Sequence, residues 1–279
     1  MRPLSIPKRI ADIVNPSYSL NERIKIIKEQ YRKLRKDGTP VVSIVIPAYN
    51  EEKNILQTLQ SLVQNETNKA VEIIVVNNNS TDKTEDLVRA SGVDCILETK
   101  KGITAARNAG LNAATGKYIL NADADAIYPH FWVEEMVNPL DKTNKVAITY
   151  GRFSFIPIGT TSRFIYFFYE YIADLKRYIN KFFKEEAVNV YGFNSGYRRT
   201  QGLQVDGYNH PIGANEDGYL ALKLRNQGFG KIHYVTNIKA LVWTTDRRIQ
   251  MEGGFTKGVS LRIKKLFYPG KINQVRSDL

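Results

Sequence analysis

The chain has almost no cysteine: Cys95 is the single one among 279 residues. An internal disulfide therefore cannot form, and neither can a zinc site that needs several cysteines. A lone thiol of this kind is typical of proteins from a reducing compartment.

Long apolar runs are missing as well. No stretch of about 18 apolar residues occurs, so the sequence predicts no membrane-spanning helix. The first residues, MRPLSIPKRIADIVNPS, lack an apolar core of signal-peptide length, and a cytoplasmic protein is the expectation. The patterns G-x-G-x-x-G and G-x-x-x-x-G-K-[ST] are also absent, which excludes the Rossmann dinucleotide and P-loop classes.

Acidic residues are scarce at the N-terminus. Residues 1–40 contain ten Lys and Arg against four Asp and Glu, a net charge of +6 out of +12 for the whole chain. We interpret this segment as a basic N-terminal extension. It is either attracted to an anionic partner, such as a membrane surface or a charged glycan, or it is a solvated basic helix. A nucleic-acid partner is not expected.

From residue 41 onwards, short β-branched runs alternate with amphipathic stretches. Strands are predicted at 41–47, 71–76, 93–97, 117–125 and 146–151, and helices at 52–64, 82–91, 103–114 and 129–139. This alternation predicts an α/β fold of three layers, α/β/α, with a mostly parallel central sheet. Thr81 is expected to cap the helix at 82–91, and a late strand is expected at 238–243.

Polar clusters follow three of these strands, at 47–51, 77–82 and 121–125. In parallel α/β sheets ligands bind beyond the carboxyl ends of the strands, so the coincidence favours a binding site. Asp123 and Asp125 can hold a hard divalent cation together with diphosphate oxygens. Taken alone, each cluster is explained more simply as a turn or as a cap of the next helix.

A fourth polar group, Asn215-Glu216-Asp217, opens a predicted helix at 215–228. A carboxylate there can act as a general base if it faces a ligand cleft. The alternative is a carboxylate that only complements the helix dipole.

Taken in order, five segments resemble the family 2 glycosyltransferases, inverting enzymes that have the GT-A fold. The segments are VSIVIPAYNEE (42–52), VVNNNSTDKT (75–84), KGITAARNAGLNAATGKYILNADAD (101–125), GFNSGYRR (192–199) and NEDGYLALKLRNQG (215–228). The resemblance covers about residues 41–250, with 41–150 as the nucleotide-sugar-binding half and 151–250 as the acceptor half.

The resemblance implies a role for each candidate residue. The nucleoside of the donor would be bound by Pro47, Tyr49, Asn50, Glu51 and Asn78. Near the ribose and phosphates it places Asp123, Arg107 and the pair Arg247-Arg248, since guanidinium matches phosphate geometry. It also implies a divalent metal, Mn²⁺ or Mg²⁺, on Asp125, and Asp217 as catalytic base with Glu216 beside it.

The predicted reaction is sugar transfer from a nucleotide-diphosphate sugar, with UDP favoured, to a hydroxyl of a glycan or lipid-linked glycan. A polyprenyl-phosphate sugar synthase is the first alternative, although its anionic nucleophile needs no base. A nucleotidyltransferase is disfavoured because PAYNEEKN lacks the glycine-rich loop of those enzymes. A non-catalytic nucleotide-sugar-binding module would need neither Asp125 nor Asp217.

Three features motivate a further hypothesis of peripheral membrane contact. They are the basic segment 1–40, an aromatic helical stripe at 163–183, and a basic amphipathic C-terminal tail at 251–279. The alternative is that the stripe packs on the sheet or on a partner subunit and that the tail is solvated.

Overall fold

A computed structural model describes residues 1–251 and 253–254. The predicted tail at 251–279 lies almost wholly outside the described residues. The helices are α1 (Lys8–Val14), α2 (Leu20–Arg35), α3 (Ile55–Val63), α4 (Thr84–Ala90), α5 (Ile103–Ala113), α6 (Trp132–Lys142), α7 (Arg163–Phe183), α8 (Arg199–Gln204), α9 (Glu216–Asn226) and α10 (Arg247–Met251). The strands are β1 (Val42–Ala48), β2 (Val71–Asn77), β3 (Asp94–Leu97), β4 (Tyr118–Asn121), β5 (Ala126–Ile127), β6 (Val146–Tyr150), β7 (Phe153–Ile156), β8 (Ser195–Arg198), β9 (Lys231–Tyr234) and β10 (Val242–Thr245).

Seven strands form the central sheet in the order β3-β2-β1-β4-β8-β6-β9. The first four run parallel, and only β8 is antiparallel to both of its neighbours, β4 and β6. The predicted mostly parallel α/β architecture is therefore confirmed. Because β8 comes from the second half of the chain and lies between two strands of the first, the two halves share one sheet.

The core lies on both faces of this sheet. β1 and β2 are buried along nearly their whole length, as expected for apolar strands covered by helices on each side. The small residues of α5 let that helix lie close to the sheet: a Cβ added at Gly110 would stand 2.2 Å from Cγ1 of Val45. A larger residue at this position would push the helix off the sheet.

The basic segment 1–40 is packed against this core. Ile27, Tyr31 and Leu34 of α2 join the main apolar cluster, while Ile10 and Ile13 of α1 pack on the small three-stranded sheet β5-β10-β7. Arg2, Arg9 and Arg23 of this segment donate hydrogen bonds to groups within the fold, so only part of its positive charge is available to a partner.

Two local predictions were wrong. Helix α4 begins at Thr84, and it is Asp82 rather than Thr81 whose side chain accepts the backbone N–H of Thr84, at 3.0 Å. Residues 238–240 form a 3-10 turn, and the strand follows as β10. In both cases the chain uses a short-range turn where sequence periodicity alone cannot separate turn from helix or strand.

Candidate active site

The loops after β1 and β2 are tied together by hydrogen bonds. The N–H of Asn50 donates to Oγ of Ser80 at 3.0 Å, and the N–H of Thr81 donates to Oδ1 of Asn50 at 2.8 Å. Asn50 adopts a left-handed backbone (φ 53°), which its short polar side chain tolerates. The two polar clusters expected at neighbouring strand ends therefore form one surface.

The predicted nucleoside-binding residues differ in how exposed their side chains are and in whether their hydrogen-bonding groups are already in use. The ring of Tyr49 is 40% exposed, whereas Pro47 lies within β1. The amide of Asn78 donates to the carbonyls of Glu98 and Lys100, both at 2.8 Å, and its Oδ1 accepts from the N–H of Gly102. Asn78 therefore holds the loop after β3 in place, with its amide protons already used.

The acidic turn after β4 is held rigidly. Oγ1 of Thr58 lies 2.8 Å from the carbonyl oxygens of both Ala124 and Ala126 and shares its single proton between them, and the hydroxyl of Tyr128 accepts from the N–H of Asp123. Burial raises the pKa of Asp125 to about 6, reinforced by repulsion from Asp123 and opposed by nearby arginine. A bound cation would favour the ionised form of Asp125.

Arg247, at the start of α10, joins the acidic turn to the loop after β1. Its guanidinium forms a bidentate pair with Glu51, at 2.6 and 3.2 Å, and Nη2 also reaches Oδ2 of Asp125 at 2.8 Å. Arg248 is exposed beside it, and its charge also lowers the pKa of Asp125. The arginine pair therefore lies at the acidic turn, where a diphosphate clamp was predicted.

Asp246 is a residue that the sequence did not single out. It is fully buried and accepts from the N–H of Ile158, the hydroxyl of Tyr166 and the amide of Gln250. These bonds fix the start of α10 and so position Arg247. The signal in the sequence was only its place next to the arginine pair.

Arg107 of α5 lies between two carboxylates and is 2% exposed. Its Nη2 is 3.1 Å from Oδ1 of Asp123, and its Nε is 3.4 Å from Oδ1 of Asp217. Burial by itself lowers the pKa of Arg107, but attraction by Asp217 and then by Asp123 outweighs it, so the net pKa is raised. Arg107 therefore links the acidic turn to the start of α9.

Asp217 is buried in the first turn of α9, with Glu216 half-buried beside it. Burial raises the pKa of Asp217 to about 7, against the attraction of Arg107. The helix start is already capped, because Oδ1 of Asn215 accepts the N–H of Gly218 at 2.9 Å. Asp217 is therefore not needed for capping, and its Oδ1 makes no hydrogen bond to the described residues.

Gly192 is a second residue to which the sequence assigned no role, although it begins the segment GFNSGYRR. A Cβ at this position would stand 2.1 Å from Nη2 of Arg107 and 2.5 Å from Oδ2 of Asp217. Only glycine leaves room for both groups at this point of the chain.

We expect Gly192→Ala to lower turnover by about 10- to 100-fold, because the added methyl displaces Arg107 and Asp217 by a fraction of an ångström or more. Steady-state kinetics measures the effect. Gly228→Ala is the matched control. Gly228 has φ +84° with open space around it, so the substitution lowers the free energy of unfolding by about 1 kcal/mol without touching the site. Equal turnover of the two variants would show that Gly192 has no part in positioning these groups.

The donor set suits a hard divalent cation in part. Within the described residues no cluster of three or more His, Cys, Asp or Glu side chains could hold a metal ion. Mg²⁺ and Mn²⁺ prefer oxygen ligands, and Mg²⁺ is commonly bound through one or two carboxylates, with substrate phosphates completing the set. Asp125, with Asp123 next to it, fits that pattern.

The chain is similar to known glycosyltransferases. The family model "Glycosyl transferase family 2" matches residues 43–201. The probable glycosyltransferase YdaM of Bacillus subtilis is 33% identical over 205 residues, 68% of this chain and 48% of that protein. The UDP-Glc:alpha-D-GlcNAc-diphosphoundecaprenol beta-1,3-glucosyltransferase WfaP of Escherichia coli is 33% identical over 117 residues, 40% of this chain and 46% of WfaP. The chain thus spans less than half the length of these relatives.

Among solved structures, a similar one is glucosyl-3-phosphoglycerate synthase from Mycobacterium tuberculosis in complex with Mn²⁺, UDP and phosphoglyceric acid. It superposes with a TM-score of 0.55 at 19% identity, over 92% of this chain and 86% of that one. This likeness confirms the predicted GT-A fold. Since the family model matches more than half of its length, the chain belongs to glycosyl transferase family 2.

Proposed function

We propose that this protein is an inverting glycosyltransferase that moves a sugar from a nucleotide-diphosphate donor, UDP favoured, to a hydroxyl of a glycan or lipid-linked glycan. The observation that carries the proposal is the chain of contacts Asp123–Arg107–Asp217, which links the acidic turn to a buried carboxyl. The name of WfaP, a UDP-glucose enzyme with a diphosphoundecaprenol-linked acceptor, and the Mn²⁺–UDP complex of the mycobacterial synthase support it.

On the donor side, Tyr49 offers an exposed ring on which a base can stack, and Glu51 lies at the same loop. Asn50 and Asn78 hold the two loops that would enclose the nucleoside. Arg247 and Arg248 carry the positive charge for the diphosphate, and Asp123 would contact the ribose. Arg247 would then exchange its bond to Asp125 for phosphate oxygens.

Asp125 would hold the divalent metal, with Asp123 nearby. When bound, the metal would neutralise negative charge as the nucleoside diphosphate leaves. Within the chain, Arg107 and the pair Arg247-Arg248 add positive charge on the same side. Electrostatic stabilisation of this kind is usually the largest catalytic contribution.

Asp217 would act as the general base. The acceptor oxygen attacks the anomeric carbon from the face opposite the nucleotide while the bond to the diphosphate oxygen breaks, and the acceptor proton passes to Asp217. A raised pKa near neutrality suits this task, because the carboxylate is then basic enough to accept the proton. A phosphate nucleophile would need no base, so a buried Asp217 favours a hydroxyl acceptor over a polyprenyl phosphate.

The proposed function is tested by screening nucleotide sugars for slow hydrolysis and for thermal stabilisation of the protein. We expect one donor, a UDP-sugar before others, to be hydrolysed in the presence of Mn²⁺ or Mg²⁺ and to raise the melting temperature. At a hundredfold excess over Kd a ligand stabilises a fold by about 2.7 kcal/mol. Absence of both effects for every nucleotide sugar would rule the proposal out, whereas binding without turnover would favour a non-catalytic module.

A further inference from the structure

Helix α7 directs charged and polar side chains towards the protein and most of its apolar side chains towards solvent, the reverse of an ordinary surface helix. Its protein-facing side carries one buried aromatic residue, Tyr166, and three buried polar ones, Glu170, Arg177 and Asn180. Glu170 accepts from Oγ of Ser154 at 2.9 Å and from the N–H of Phe155 at 2.8 Å. Amphipathic helices of globular proteins normally direct their apolar face inwards.

Buried ion pairs hold this polar face in place. Glu170 pairs with Arg163 at 2.9 Å and with Arg2 at 3.3 Å. Arg2 also forms a two-pronged pair with Asp174, at 2.8 Å for each bond. The pairs of Arg2 with Glu170 and Asp174 therefore tie the polar side of α7 to the rest of the protein and specify its orientation.

The opposite face of α7 is apolar and open. Ten of its side chains are apolar and 39–77% exposed: Phe164, Ile165, Phe168, Tyr171, Ile172, Leu175, Tyr178, Ile179, Phe182 and Phe183. The remaining exposed residues of this helix are Lys176 and Lys181, and neither of its two acids is on the exposed side. We call these ten residues the α7 apolar face.

The size of the α7 apolar face argues for a partner. Its helix has 21 residues, about 30 Å, and single exposed apolar residues are common whereas a contiguous stripe of this length is not. None of the helices in the described part of the chain has the length and apolar character needed to cross a bilayer. The alternative that the stripe packs on the sheet therefore does not hold for these ten residues, which are exposed.

Charge and composition select the partner. A second copy of this chain would bring another net charge of +12, which repels the first, whereas an anionic surface attracts it. Phenylalanine and tyrosine with interspersed lysines, and no acid, are typical of helices that lie in the headgroup region of a bilayer. An acidic protein partner would leave unexplained why almost the whole exposed face is apolar.

We propose that the α7 apolar face docks on an anionic lipid bilayer, with α7 lying in the plane of the interface. Docking there would place the candidate active site next to the membrane, since α7 contacts elements that lie beside Arg247 and beside α9. At one end the hydroxyl of Tyr166 donates to Asp246, which adjoins Arg247. At the other end Asn180 donates to Asn189 in a further 3-10 turn, Glu186–Asn189, which packs on α9.

Membrane docking deepens the proposed function, because it favours a lipid-linked acceptor over a free glycan. This preference for a lipid-linked acceptor rests on the proposed glycosyl transfer. The docking itself does not.

The experiment is co-sedimentation of the full chain with vesicles rich in phosphatidylglycerol, compared with vesicles of phosphatidylcholine alone. We expect binding to the anionic vesicles that weakens as salt is raised. Replacing three residues of the face, in Phe168→Gln/Ile172→Gln/Leu175→Gln, should weaken that binding by about tenfold or more, because three apolar side chains no longer leave water. Glutamine keeps good helix propensity.

The matched control is Leu20→Gln/Leu97→Gln/Ile238→Gln, which removes three exposed apolar side chains outside α7. It should bind like the unchanged protein. Equal binding by the α7 variant would overturn the proposal and assign any binding to the basic ends of the chain. So would a lack of vesicle binding together with a dimer that the α7 variant dissociates. Donor hydrolysis in solution without lipid is measured in parallel, so failure of the proposed function is seen separately.

Discussion

Replacing Asp217 by asparagine is expected to lower the rate of transfer to a hydroxyl acceptor by about 10²–10⁴-fold. Asparagine keeps the shape of the buried side chain beside Arg107 but cannot accept the acceptor proton. Donor affinity should change little, because the proposed base acts on the acceptor. The measurement is kcat and KM for transfer, together with donor binding by calorimetry.

Asp86→Asn is the matched control for this variant, because Asp86 is also in the first turn of a helix, α4, but is exposed to solvent. If the only role of Asp217 were to complement the dipole of α9, Asp217→Asn would behave like Asp86→Asn and keep normal turnover. Collapse of donor binding in Asp217→Asn would instead assign Asp217 to the donor site.

The same carboxyl sets the expected pH dependence. Burial raises the pKa of Asp217 to about 7, and only the deprotonated form can accept a proton. The value of kcat/KM should therefore rise as pH increases through about 7 and level off above it. The residual activity of Asp217→Asn should lack this rise; an unchanged profile in the variant would place the titrating group elsewhere.

Asp125→Ala is expected to reduce turnover by about 10³-fold or more, since we propose that Asp125 holds the divalent metal. The fold should survive, because Arg247 keeps its bidentate pair with Glu51 when its bond to Asp125 is lost. Calorimetric titration of Mn²⁺ in the presence of UDP gives a readout that does not depend on activity, and it should show weakened metal binding.

Glu134→Ala is the matched control for Asp125→Ala. Glu134 pairs with Lys69 at 2.7 Å, and its side chain is 24% exposed against 20% for Asp125, so a comparable ion pair is lost away from the acidic turn. Full activity of the native chain in the presence of a chelator, or near-normal activity of Asp125→Ala, would defeat the metal assignment.

The expected site depends on tertiary structure to different degrees. That polar clusters would meet beyond the strands was predictable, because carboxyl ends of neighbouring parallel strands lie at one edge of a sheet. The hydrogen bonds from the amide of Asn78 to the carbonyls of Glu98 and Lys100 were not predictable from the sequence. The path of the loop after β3 brings these carbonyls to Asn78, and the sequence around Asn78 does not indicate that path.

The sequence by itself determined the alternation of strands and helices from residue 41 and the placement of acidic residues after β4 and at the start of α9. These features follow from short-range periodicity, turn residues and the apolar character of each run, which are local properties of the chain. They were enough to indicate an α/β sheet with a site at the ends of its strands.

Only the tertiary structure decided which charges meet and which face of α7 is exposed. Arg247 reaches Glu51 and Asp125 across 196 and 122 residues, and Arg2 reaches Glu170 across 168. A periodic stripe shows that a helix has two faces, but it does not show which one points inwards. In α7 the polar face points inwards, because Arg2, far away in the sequence, pairs with its buried Glu170 and with Asp174, and the α7 apolar face is left exposed.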